Sequence, residues 1–202
     1  MSTSNIGQYN ESAPVLSDNE QRALRLDSRA RLIITQEKRE TFSAAISAHA
    51  VQSGATDFLE VIGSATKTII IKRMRFGGTA NGTVVTRVGC VKRSTADSGG
   101  TSATLTNVPH DSVNAAATAT VKAYTANPTL GTAIGLIRTF LYTMVAVSSN
   151  IIADIRELTF GTEEDQGIIL RGTSQSLCLN LNETVLTNAL VDVSIEWREV
   201  VG

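Results

Sequence analysis

The 202 residues carry 18 Lys and Arg against 19 Asp and Glu, a formal net charge of −1, so no global field draws the chain to nucleic acid or to an acidic membrane. Charged residues make up only 18% and aromatics 4%, and the remainder leans on Thr, Ser, Ala, Val and Gly, a β-rich composition whose weakly charged surface suits burial against partners. This length accommodates one well-buried domain with an appendage, and is short for two ordinary domains.

Residues 1 to 12 are polar and aperiodic, as expected of an end that orders only on binding. They contain no cationic region followed by an apolar one, so nothing marks export. From Ala13 the sequence reads APVLSDNEQRALRLDSRARLII. Leu24 and Leu26 share one alternating face, Asp27 to Arg29 form a polar turn, and Leu32 and Ile34 share a second alternating face. Period two on both sides of a short turn predicts a β-hairpin. Two strands are not stable alone in water, so the hairpin must lie either on its own body or on a neighbour. Docking on a neighbour would bury Leu24, Leu26, Leu32 and Ile34, while Arg22, Arg25, Asp27 and Arg29 would fix the register through charge complementarity.

Gln36 to Glu40 is a charged spacer. Thr41 to Gln52 is Ala-rich with Phe42 and Ile46 at helical spacing, but His49 to Val51 could equally be extended, and the segment is open between the two states. Strand patterns then recur at Phe58 to Ile62, Thr68 to Phe76, Thr83 to Lys92, Ala119 to Tyr124, Ile137 to Val147, Ile155 to Thr159, Gly167 to Arg171, Ser176 to Leu181 and Leu190 to Val200. Asn81 and Gly82, in GGTANG, are expected to supply the positive φ of a tight reversal, making a hairpin of the strands on either side. The last run, VDVSIEWRE, alternates cleanly and should anchor the core with Trp197. Such spacing, with no helical period between strands, predicts an all-β fold, a jelly-roll-like β-sandwich with an extended N-terminal arm. The expected division is a docking arm with a β-hairpin over 1–40 and a β-sandwich body over 41–202.

Groups suited to catalysis or metal binding are sparse. His49 and His110 are the only imidazoles, and neither has a Cys or second His at ligand spacing. His110, in VPHDS, reads as a loop residue bonded to its own turn. No Ser stands between glycines as a nucleophile elbow, Gly77 and Gly78 precede no Lys-Ser or Lys-Thr, and the DxDxDG calcium pattern is absent. Glu163, Glu164 and Asp165 read as a solvated turn. Arg22, Arg25, Arg29 and Arg31 are interleaved with acids and lack aromatic stacking partners, which favours a protein-pairing surface over a nucleic-acid one. Cys90 and Cys178, inside the apolar runs VGCVK and SLCLN, are expected to be free and buried. The longest apolar stretch, Leu136 to Val147, is interrupted by Arg138, Thr139 and Thr143 and is too short to span a bilayer. The expectation is therefore a non-enzymatic protein with no cofactor, no metal, no nucleic-acid partner and no membrane.

The stretches STADSGGTSAT (Ser94 to Thr104), VPHDS (Val108 to Ser112) and NAAATATVKAYTANPTLGTAIG (Asn114 to Gly135), followed by ILRGTSQSLCLNLN and DVSIEW, resemble a family of tailed-bacteriophage virion proteins. The segment APVLSDNEQRALRLDSRARLII is also similar to an arm found at the front of several phage structural proteins, with Ala30 standing where that pattern usually has glycine. The resemblance implies a virion component assembled in a host cytoplasm. A compact β body, a docking arm and the lack of a catalytic pattern favour, within that class, a capsid decoration or cement protein that binds the outer capsid surface, the major capsid protein or other virion subunits through the arm. The small, weakly charged Thr/Val/Ala-rich strand surface favours association with its own copies, as a trimer or else a dimer. The alternative is a tail, baseplate or head-fibre adaptor, and a carbohydrate-binding module ranks third.

Overall fold

The computed structural model describes residues 25–26, 32–33, 40–146, 154–161 and 166–201. The chain forms two compact units, Met1–Lys38 and Arg39–Gly202. In the first, β1 (Arg25–Leu26) pairs antiparallel with β2 (Leu32–Ile33), setting Arg25 opposite Ile33 and Leu26 opposite Leu32. Arg22, Leu24, Asp27, Arg29 and Ile34 lie outside the described residues, as does the Glu163 to Asp165 turn.

The second unit is all-β, with no helix among the described residues. Its strands in chain order are β3 (Thr41–Ala50), β4 (Asp57–Ile62), β5 (Lys67–Ala80), β6 (Val84–Arg93), β7 (Thr101–Thr104), β8 (Val108–Pro109), β9 (Thr120–Ala126), β10 (Ala133–Ala146), β11 (Ile155–Thr159), β12 (Ile168–Leu170), β13 (Ser176–Asn180) and β14 (Leu190–Val201). The ambiguous Thr41 to Gln52 segment is thus extended over most of its length. They make one curled, mixed sheet in the order β7-β9-β4-β13-β6-β10-β5-β14-β3-β8, with β11 and β12 both on β5. All pairings are antiparallel except that of β10 with β5, where Val145 and Ala146 run parallel to Thr79 and Ala80.

Burial follows strand chemistry. In β14 the period-two text sends Val191, Val193, Ile195 and Trp197 inward. Strand β4, flanked by β9 and β13, is buried at every position, as its nearly continuous apolar text requires. Trp197 stacks with Phe42 at 6.1 Å between ring centroids, and Phe76 meets Tyr142 edge-on at 4.8 Å. The 101–109 stretch supplies β7 to β9 and β8 to β3, tying the two ends of the sheet to one segment. His49 Nε2, on β3, also lies 2.9 Å from the Tyr124 carbonyl on β9. The sheet therefore curls back toward itself around the core.

One expected turn is different. Strand β5 runs on through Gly77 and Gly78 to Ala80, and it does not pair with β6; β10 lies between them. Asn81 and Gly82 are absent from the positive-φ residues, which include Ala48, Asn182, Glu183 and Asn188. The glycines serve close strand packing instead. A Cβ on Gly78 would stand 2.9 Å from the Leu190 carbonyl oxygen of β14. His110 stands in the loop just after β8, where its backbone N–H donates to the Thr41 carbonyl of β3 at 2.9 Å.

Candidate functional site

Two features of the body stand apart from ordinary core and surface. The first is a buried polar cluster, the second an exposed apolar strand.

The cluster is assembled by register. Pairing of β13 with both β4 and β6 sets Cys178 opposite Glu60 and Val91, and Ser176 opposite Arg93. Asp57 and Glu60 come from β4, Arg93 ends β6, Asp97 follows it in the loop, and Tyr124 comes from β9. Asp57, Glu60, Arg93, Asp97, Tyr124 and Cys178 are all buried. The Arg93 guanidinium donates from Nε to Asp57 Oδ2 at 2.6 Å and lies 3.2 Å from Asp97 Oδ1. Its NH1 donates to the Gly131 carbonyl at 2.7 Å, while the Gly131 N–H donates to Asp97 Oδ1 at 2.8 Å. Glu60 accepts from the Asp97 N–H at 2.8 Å and from the Tyr124 hydroxyl at 2.8 Å. Asn180 Nδ2 donates to Asp57 Oδ1 at 2.5 Å.

Asp57 and Asp97 share one guanidinium while Glu60 is buried close by on the Asp97 N–H and the Tyr124 hydroxyl, so carboxylates outnumber cations away from water. The proton balance responds. Burial, with Asp57 and Glu60 adding to it against the opposing Gly131 N–H, pushes Asp97 up to about 7. Burial raises the Tyr124 hydroxyl and the Cys178 thiol as well. Cys90, also free and buried, is pushed up to about 12, so both thiols are held protonated, and a buried neutral thiol is a poor nucleophile. Ligand-type atoms of Asp57, Asp97 and Cys178 lie within 4.8 Å of one another, but Arg93 already supplies the positive charge there. The chemistry this arrangement performs is to clamp the 94–100 and 127–132 loops onto the sheet. Spacing along the chain gave no sign of it, because its members come from four strands and a loop.

A related device closes the other end of the body. Glu199, on the inward face of β14, accepts from Trp197 Nε1 at 3.0 Å, the Ala119 N–H at 3.0 Å, and the Thr118 N–H and hydroxyl at 2.8 and 2.7 Å. Burial opposes its charge, but the bonds from Trp197, Ala119 and Thr118 outweigh burial and hold it below the ordinary carboxylate range. Trp197 is 0% exposed, so it cannot act as a sugar-stacking platform.

The exposed feature is β10. Ala133 to Thr139 are all exposed, and the large apolar side chains Ile134, Leu136, Ile137 and Leu141 stand in solvent at 59, 58, 39 and 57% of full exposure, with Val85 of β6 beside them at 58%. One side of the strand is paired to β6 from Ala133 to Met144. The other side has a described partner only at Val145 and Ala146, where β5 reaches it. Register shifts between Ala133 and Gly135 and between Leu136 and Arg138 twist the strand. An unpaired edge of this kind, lined by apolar side chains, can accept another strand. Of the predicted contact residues, Arg25, Leu26 and Leu32 fall within the described strand pair.

No family model, no curated protein and no solved structure matches the chain.

Proposed function

We propose that this protein is a structural component of a tailed-phage virion, a capsid decoration or cement protein that stabilises the outer capsid surface through its N-terminal arm and through association with its own copies. The observation that carries the reading is the apolar edge of β10, without a strand partner among the described residues from Ala133 to Thr143, on an all-β body, a surface suited to packing against protein. The phage-like segments from Ser94 to Gly135 supply loops and strands of that same body and support the same reading. Within it, the curled sheet is a jelly-roll-like sandwich, the strands from β7 to β6 forming one layer and those from β5 to β8 the other. The arm, residues 1–40, is the anchor to a neighbouring subunit, and Leu24, Leu26, Leu32 and Ile34 are the side chains it buries there.

The test is made on particles. A chain lacking residues 1–40 should fold and remain β-rich by circular dichroism, yet fail to join the virion. Normal occupancy of the truncated chain would move the contact surface to the body. Labelling the full chain on intact particles separates a capsid position, with hundreds of copies, from the tail, baseplate or head-fibre alternative, with few.

A further inference from the structure

We infer that the free edge of β10 is the site at which two copies of this chain join, strand against strand, about a two-fold axis. The inference rests on the reading of the protein as a self-associating component and names the surface that reading left open.

Three observations commit the edge to a second copy. From Ala133 through Thr143 the backbone on this side has no described strand partner, so its outward N–H and C=O groups can be satisfied by an added strand. The side chains of Ile134, Leu136, Ile137 and Leu141 on the strand itself expose on the order of 400 Å² per copy, large enough to mark an interaction patch. The pattern is also self-complementary. Antiparallel pairing about Thr139 sets Ile137 of one copy against Leu141 of the other. It sets each Arg138 against a Phe140, keeping the two positive charges out of direct opposition. An edge pairing with itself is isologous and closes at two subunits, which selects the dimer from the two symmetries the composition allowed.

The experiment is sedimentation velocity on the full chain at tens of micromolar, alongside L141K and the control V113K. Val113 is 90% exposed and lies in the loop between β8 and β9. The expected result is a dimer for the unmodified chain and for V113K, with association weakened at least about tenfold in L141K and an unchanged circular dichroism spectrum. A second measurement reads proximity: T139C should cross-link to a covalent dimer on mild oxidation, and V113C should not, with the buried Cys90 and Cys178 silent in both. A dimer indifferent to L141K and to T139C overturns the edge while leaving self-association intact. A trimer overturns the two-fold axis, and a monomer at every concentration overturns both the edge and the self-association on which it rests.

Discussion

Arg93 is the residue on which most of the buried charge depends, since among the described residues it is the cation that offsets Asp57 and Asp97 inside the sheet. Replacing it with Met removes a partner and leaves carboxylates buried without a cation, a change that typically costs about 3–5 kcal/mol. The expected result is a large fall in Tm for R93M. Asp97 gives a pH signature. Its folded value of about 7 lies above the ordinary 3.8, so between those limits the native state binds more protons than the unfolded one. Its contribution is therefore complete below about pH 4 and is lost as pH rises through 7. Thermal melts from pH 5 to 8 should show stability falling toward the alkaline end, and D97N should flatten that slope. Glu199 runs the other way, because its folded value lies below the ordinary 4.5. The stability it supplies is present above 4.5 and is lost as pH falls through the folded value. E199Q, which sets amide hydrogens against backbone donors, should cost about 1–3 kcal/mol and reduce the acid sensitivity.

Strand β3 shows how one side chain sets the shape of an element. Its register against β14 shifts between Val191 and Val193, and at the irregularity Ala48 takes a φ of 50°. Asp192 holds the bulge, accepting from the Ser47 hydroxyl at 2.6 Å and the Ala48 N–H at 2.9 Å. An L-residue in the left-handed region is strained by about 1–2 kcal/mol. A48G should therefore raise stability by about 1 kcal/mol, and D192A should lower it by a similar amount, both readable by urea titration. Gly131 is a case of backbone crowding. A Cβ there would overlap the Thr95 carbonyl oxygen, so G131A should displace the loop that Arg93 and Asp97 clamp and cost about 1–3 kcal/mol.

The single sheet of the body is made continuous by β10, which pairs with β6 along most of its length and with β5 at its end, and by the 101–109 stretch that feeds both ends of the sheet. The body, residues 39–202, should unfold in a single transition. Trp197 fluorescence and far-UV circular dichroism should give coincident urea curves, as two-state behaviour requires; separated midpoints would mean that parts of the sheet unfold independently.

What the sequence determined by itself was local. Short apolar runs between turn residues placed β4, β9, β11, β12 and β13 close to their true bounds, and alternation placed β14 and turned Trp197 inward, because a half-buried strand must repeat every two residues. Apolar context alone marked Cys90 and Cys178 as buried. Tertiary structure decided what has no local period. It placed Gly77 and Gly78 inside a strand, where at Gly78 the close-packed Leu190 carbonyl and not a turn requires glycine. It resolved Thr41 to Ala50 as a strand because β14 offered a partner. It gathered Asp57, Glu60, Arg93, Asp97 and Cys178 from distant positions by sheet register. It also left Ile134, Leu136, Ile137 and Leu141 of β10 outside the core while burying Tyr142 and Met144, since hydrophobicity makes a segment seek burial but cannot specify whether the covering surface lies in the same chain or in another.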